Sequence, residues 1–313
     1  MATTPDLTPH LTPEGPRKVD NFRGLLYMLA GAVLISCLHA LVRDMTQELP
    51  PFEVAFFRNL VVLIVLTPPL FRQDRSAWKS KRPDLQLLRG VVGLGAMLTW
   101  FYTLQVVPVG DATALSFTVV LFTSLGAVFM LREKMGLRRW SALLVGFIGT
   151  AIILRPGFQD ISPGYLLALG STVLWAWALL IVKVLARHDS PVTIVFYSSV
   201  YFTPATLVLA LFVWEWPTWM QLIEMIAIGL LAAVAHVCMA KAMQLGEASA
   251  VMPADFTRLL WAAGLGYIMF GEFPDFWTWV GGTVVFASTM YITYREARAK
   301  NALKDATFKT SEG

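Results

Sequence analysis

The residues with the clearest capacity for chemistry are ionisable groups embedded in apolar sequence. Arg258 and Asp255 stand three positions apart in the run 249–270, so one helical face carries both. Arg258 is the tenth residue of that run, roughly 15 Å along a helix, too deep to reach either end by snorkelling. A guanidinium held there can fork onto a carboxylate, and Asp255 beside it can take a cation. The same two residues also read as a plain intrahelical ion pair. Pro253 just before them frees backbone groups and lets the helix bend. Arg58, six residues beyond Phe52 in the run 52–71, is the second buried cation, with outward snorkelling as its plainer reading. Glu53 is five positions away, about 140° round a helix, and makes a poor partner for it. Arg89 and Lys241, near the ends of their runs, read as anchors.

His39 and His236 are the histidines inside apolar runs, suited to relaying a proton or to a structural hydrogen bond between helices. Trp100, Trp175 and Tyr197 are candidate walls of a binding cavity, although aromatic residues also form interface belts. This set suits recognition of a charged solute rather than bond making. The patterns G-x-x-x-x-G-K-[ST], H-E-x-x-H and G-x-S-x-G are missing from the sequence, so nothing points to nucleotide hydrolysis, zinc catalysis or a serine nucleophile. No catalytic residue, cofactor or metal is assigned, and the chain does not read as an enzyme. Cys37 and Cys238 both lie in apolar runs, which offers neither a disulfide framework nor a metal spacing.

The elements that must position these residues follow from composition. Of 313 residues, 56% are hydrophobic and only 15% charged, with a mean hydropathy of +0.61. A soluble chain carries about 25% charged residues, so an ordinary soluble enzyme, a disordered scaffold and a nucleic-acid binder are excluded. Ten stretches are long and apolar enough to cross about 30 Å of hydrocarbon: 24–42, 52–71, 86–106, 111–131, 138–155, 164–186, 192–213, 220–243, 249–270 and 277–294. The expected fold is therefore an all-α membrane protein of ten transmembrane helices. Residues 1–23, with four prolines, read as a disordered tail without a cleavable signal, and 296–313 as a charged tail. The even-numbered gaps and the tails hold 18 Lys and Arg; the odd-numbered gaps hold only Arg43 and Arg155. The positive-inside rule then places both termini in the cytoplasm.

The two halves repeat. At a shift of 140, Gly24, Val33, Leu34 and Arg43 meet Gly164, Val173, Leu174 and Lys183, and Pro51, Val54, Phe56 and Phe57 meet Pro191, Ile194, Phe196 and Tyr197. At 136, Gly110–Ala114 meets Gly246–Ala250; at 139, Glu133, Trp140 and Ala142 meet Glu272, Trp279 and Gly281. Each unit has five spans, an odd number, so the second crosses in the opposite sense. Units 24–155 and 164–295 form an inverted repeat, the architecture of many alternating-access transporters.

With a G-[DE]-A-[ST]-A run, a helix, an acidic residue (Glu133, Glu272) and then Trp with small residues in each unit, the chain resembles the EamA units of the drug/metabolite transporter superfamily over about residues 24–295. The resemblance implies a carrier of a small metabolite with a central site between the repeats. It also implies a proline early in the fourth helix of each unit. Pro253 supplies it in the second; its counterpart at shift 136 is Phe117, which implies a more mobile ninth span than fourth.

The expected function is secondary-active or exchange transport of an anionic or zwitterionic metabolite, such as an organic acid or amino acid. The expected partners are that solute and the lipid bilayer, without nucleic acid, in a bacterial inner membrane. The oligomeric state stays open, a monomer being one possibility. The alternatives are an exporter of aromatic or cationic compounds, using Asp255 and the aromatic walls, and a membrane-embedded enzyme or non-transporting receptor.

Overall fold

A computed structural model describes residues 20–71, 80–130, 136–155, 162–185, 189, 191–245 and 248–311. Among them every regular element is an α-helix: α1 Asn21–Glu48, α2 Pro51–Phe71, α3 Pro83–Val106, α4 Val109–Ser116, α5 Val119–Met130, α6 Leu137–Leu154, α7 Pro163–Leu185, α8 Pro191–Leu211, α9 Trp219–Leu245, α10 Ala248–Asp255, α11 Thr257–Phe270 and α12 Phe276–Ser311. The local chemistry sets the ends. α2, α3, α7 and α8 open on a proline, whose missing N–H is no loss in a first turn. Asp20 caps α1 by accepting from the Arg23 backbone N–H at 3.0 Å. Gly271 ends α11 at φ +68°, donating to the carbonyls of Gly266 and Tyr267. Among the described residues, six helical stretches are long and apolar enough to cross a bilayer, and Trp140–Leu154 and Phe196–Leu211 are shorter apolar helices.

The runs 111–131 and 249–270, expected as single helices, are each broken near the middle, between α4 and α5 and between α10 and α11. The breaks are alike. Phe117 (φ −66°, ψ −18°) and Phe256 (φ −72°, ψ −16°) link the halves, and the following threonine back-bonds three residues: Thr118 Oγ1 to the Leu115 carbonyl at 2.6 Å, Thr257 Oγ1 to Ala254 at 2.7 Å. Backbone bonds tighten to the three-residue pattern at both places, as hinges often do. This corrects the pairing of Pro253 with Phe117. The Phe-Thr steps align at shift 139, so the second unit carries three more residues ahead of its break, and a proline is not what breaks the fourth span. α12 likewise outruns its expected span, since the described backbone stays helical to Ser311.

The halves start at opposite ends of the bundle. Asp20 bonds to the Leu245 carbonyl and Lys81 to Asp189 at one end. At the other, Gln47 meets Gln105, Glu48 meets Gln221, and Arg43 meets Glu272. We call these the Asp189 end and the Arg43 end. The packing is two-fold: α1 lies on α9 as α7 lies on α3, α2 lies on α8, and α6 lies on α12. The last crossing is a backbone contact, in which a Cβ on Gly281 would stand 2.5 Å from the Gly149 carbonyl. Small residues permit such an approach. Gly90, Gly93 and Gly229 also pack closely, against Tyr201, Phe202 and Val61, while Gly264 faces open space.

Symmetry fails in several places. α4 packs against α11 and α1 against α3, whereas neither α5 and α10 nor α7 and α9 share comparable packing. The bundle is therefore closed at the Arg43 end and parted toward the Asp189 end.

Candidate functional site

Two clusters meet at the centre of the bundle. In the first, the α10–α11 break sets Asp255 and Arg258 a helical turn apart. Arg258 Nη2 lies 3.5 Å from Asp255 Oδ2 and 3.4 Å from Ser116 Oγ on α4, with its guanidinium 4.9 Å from the centre of the Phe117 ring. Both charged side chains are 14% exposed. The Arg258 carbonyl accepts from Ser36 Oγ on α1 at 3.1 Å. Behind them, Phe117 and Phe256, the two break residues, pack ring on ring at 4.2 Å between centroids and 31° between planes, and Phe286 meets Phe256 at 4.2 Å, tilted by 56°.

The second cluster belongs to α1, α2 and α3. Trp100 Nε1 donates to His39 Nε2 at 3.3 Å, which leaves the His39 proton on Nδ1. Arg58 Nη1 donates to Asn59 Oδ1 and Met97 Sδ, both at 3.2 Å, and its guanidinium lies 5.9 Å from the Phe101 ring centre. His39 sits within electrostatic reach of both Arg58 and Arg258 and so joins the clusters. Sealed polar atoms without a partner gather here: His39 Nδ1, Arg58 Nε, Arg258 Nε and Asp255 Oδ1. A charge at the centre of a bilayer costs at least about 2.5–3.5 kcal/mol. The Arg258 charge is offset by Asp255. Arg58 has no ion pair among the described residues.

Trp175 lies on the face of α7 that carries Ala168, Ser171 and Thr172, all buried, yet it is 37% exposed. Leu179, one turn nearer the Asp189 end, is exposed as well. His236 repeats the pattern on α9, exposed on the face of the buried Ala232 and Ala233. Residues three, four or seven apart share a helix face, so these inward faces border the parted region between the halves. Tyr197 is not brought to the site. Its hydroxyl meets the Ser80 backbone N–H at 3.5 Å near the Asp189 end, and its ring packs on Phe196 and Tyr201.

The Arg43 end carries residues whose role the sequence did not disclose. Arg43 and Arg155 both bridge the halves, Arg43 to Glu272 at 2.6 Å and Arg155 to Asp275. Arg43 also donates to the carbonyls of Leu104 and Val107 and lies over Phe270. Asp111 Oδ2 accepts from the Tyr165 hydroxyl at 2.7 Å, and Gly110 leaves room for Pro274. The signal was present as the two cations standing alone in the odd-numbered gaps. Lys183, the repeat counterpart of Arg43, has no described side chain, and Glu133 lies outside the described residues. Among the described residues no cluster of His, Cys, Asp or Glu could hold a metal ion.

Comparison with known proteins places these features in context. The model of the EamA-like transporter family matches residues 22–155 and again 162–294. The chain is 31% identical over 276 residues to the S-adenosylmethionine uptake transporter of Rickettsia felis, covering 88% of this chain and 94% of the relative. It is 32% identical over 284 residues to the riboflavin transporter of Vibrio cholerae, again covering 88% and 94%. Solute carrier family 35 member G1 of Mus musculus is 28% identical, covering 87% of this chain and 78% of the relative. A solved crystal structure shares the fold at a TM-score of 0.61 and 18% identity, covering 88% of this chain and 98% of that one.

Proposed function

The chain belongs to the EamA-like transporter family, a multi-pass membrane protein, and from that premise we propose that it carries a small anionic or zwitterionic metabolite by alternating access. Ten transmembrane helices, two of them the broken pairs α4–α5 and α10–α11, form the inverted units 24–155 and 164–295. Both termini lie in the cytoplasm of a bacterial cell, as the Lys and Arg distribution requires. The Asp189 end is then the inner end, and the structure is the inward-facing state. Arg258, Asp255 and Arg58 bind the solute, Trp100 and Trp175 wall the pathway, and His39 and His236 are the groups able to carry a proton.

The observation that carries this reading is Arg58. It is a guanidinium with a sealed Nε and no counter-ion among the described residues, whereas Arg258 already has one. A solute bringing its own carboxylate completes it. S-adenosylmethionine, the solute named for several relatives, combines a carboxylate with ammonium and sulfonium groups, and Asp255 is placed for a cationic one. Uptake of labelled S-adenosylmethionine, amino acids and organic acids into proteoliposomes tests the proposal. No accumulation of any carboxylate-bearing solute would remove it.

A second reading has an observation of its own. The riboflavin transporters among the relatives are named for an uncharged flat heterocycle, and Trp175 exposes its ring on an inward face. Under this reading the solute is aromatic, Asp255 recognises a donor or cation on it, and Arg258 is structural. Labelled riboflavin in the same assay separates the two.

A further inference from the structure

Arg89 is not the surface anchor its position suggests. Its Nε and Nη1 are sealed from solvent without a hydrogen-bond partner, and its guanidinium rests 5.8 Å from the Phe202 ring centre on α8. An anchoring arginine presents its head to water or headgroups; this one is drawn back among α3 and α8. Arg58 shares the predicament, its one bonded nitrogen served by Asn59 and Met97 alone. Among the described residues neither has an ion pair, and Nη2 of each lacks a protein partner without being sealed.

His236 lies on the face of α9 that carries Gly229, seven residues away, and Gly229 packs against the Arg58 carbonyl. Both arginine charges reach His236. Its Nδ1 bonds to the Ala232 carbonyl at 2.5 Å, which commits that nitrogen to the backbone and leaves Nε2 toward the parted region. The three residues also differ in depth. By helical rise Arg58 is about 10 Å from the Arg43 end of α2, and Arg89 about 9 Å from the Asp189 end of α3. His236 is about 14 Å from the Asp189 end of α9. They form a descending series without a carboxylate among the described residues, unlike Arg258, which has Asp255.

We propose that Arg58 and Arg89, with His236, form an anion station separate from the Arg258–Asp255 pair, taking a carboxylate at Arg58 and passing it toward Arg89 on the way to the Asp189 end. This rests on reading the chain as a carrier of a carboxylate-bearing solute, and it adds Arg89 to the residues that touch that solute. Each guanidinium offers a planar fork, and the uncompensated positive potential favours any small oxyanion over a neutral or cationic group.

Acetate is the probe. The thermal midpoint of purified full-length protein is followed as sodium acetate replaces sodium chloride at constant ionic strength. Wild-type protein should be stabilised in a saturable manner, as an anion that binds the folded state requires. Arg58→Gln and Arg89→Gln should each flatten the response, and Lys241→Gln, at an exposed cation, should keep it. If a glutamine variant fails to fold, Arg58→Lys and Arg89→Lys retain charge without the fork and should raise the half-saturating acetate concentration at least about tenfold. A flat wild-type response overturns the station, as does a response that survives both glutamine or both lysine substitutions. A wild-type acetate response without proteoliposome uptake of any carboxylate removes the transport reading and leaves the station. Uptake with a flat acetate response does the reverse.

Discussion

Nη2 of Arg43 lies 2.6 Å from Oε1 of Glu272, tying the last turns of α1 to the connection before α12 and so one repeat to the other. Arg155 and Asp275 form the parallel tie. These arginines are the two cations that the odd-numbered gaps retain, and both are spent on acids of one short segment. A positive charge neutralised in this way says little against an outward location. The ties also close the Arg43 end, where α4 meets α11. Loosening them should favour the other state.

Glu272→Gln keeps the shape of the contact and removes its charge. Arg43 would keep its bonds to the Leu104 and Val107 carbonyls, so the fold should survive. A hydrogen bond to a charged group is worth about 1.5–3 kcal/mol, which is roughly a ten- to hundred-fold shift between states. A cysteine placed at Pro274 should then react with a maleimide faster by up to that factor than in the Glu272 background. An unchanged rate would mean that the tie does not hold the closed end.

Orientation has its own test. Trp216 is 87% exposed at the Arg43 end, and a Cβ at Gly136 would meet open space. In intact cells Trp216→Cys should react with an impermeant thiol reagent and Gly136→Cys should not. Gly110, though in an outer gap by charge, is a poor probe because a side chain there strikes Pro274. The reverse labelling pattern would overturn the topology and the inward-facing assignment together.

The Phe-Thr breaks show what the sequence could disclose and what it could not. Charge placement and the repeat were legible because they are written in residue identity, summed over whole units. At each break a threonine hydroxyl bonds back three residues to the backbone, a local contact that hydropathy does not register. Alignment at Gly110 and Gly246 then set Phe117 against Pro253 and hid the match of Phe117 with Phe256. Arg89 was misjudged for a related reason: distance from a helix end fixes the depth of a Cα, whereas packing decides where a long side chain goes. Trp175 was legible as an aromatic in mid-span. Its inward exposure required knowing which face of α7 its neighbours bury.

Ring-on-ring packing of Phe117 and Phe256 at 4.2 Å predicts energetic coupling across the two breaks. Phe117→Leu and Phe256→Leu keep apolar bulk and lose the ring pair. A double-mutant cycle on unfolding should return a coupling of about 0.5–1.5 kcal/mol. Additive effects would mean that the two breaks act independently.

At the α6–α12 crossing the nearest obstacle is backbone, which cannot swing aside as the Ile153 side chain next to it could. A Cβ on Gly281 meets the Gly149 carbonyl and the Ile153 backbone N–H, so Gly281→Leu should destabilise by at least about 1–3 kcal/mol. Gly264→Leu, in open space, should be near neutral in the same thermal assay. Equal effects at both positions would contradict the backbone contact.

Arg258 and Asp255 remain the sharpest case, because two roles make opposite forecasts. If Arg258 grips the solute, Arg258→Ala should abolish uptake while the protein still inserts and folds. Arg258→Lys should then weaken binding by roughly ten- to hundred-fold, since charge is kept and the planar fork is lost. If it only balances Asp255, each single substitution leaves one buried charge alone and should lower the thermal midpoint. Asp255→Ala combined with Arg258→Ala should then recover both midpoint and uptake. The 3.5 Å separation and the unpartnered Asp255 Oδ1 and Arg258 Nε describe a pair with donors and acceptors to spare, so loss of uptake in the double variant is the expected result. A double variant that transports normally would assign recognition to Arg58 and the aromatic walls alone.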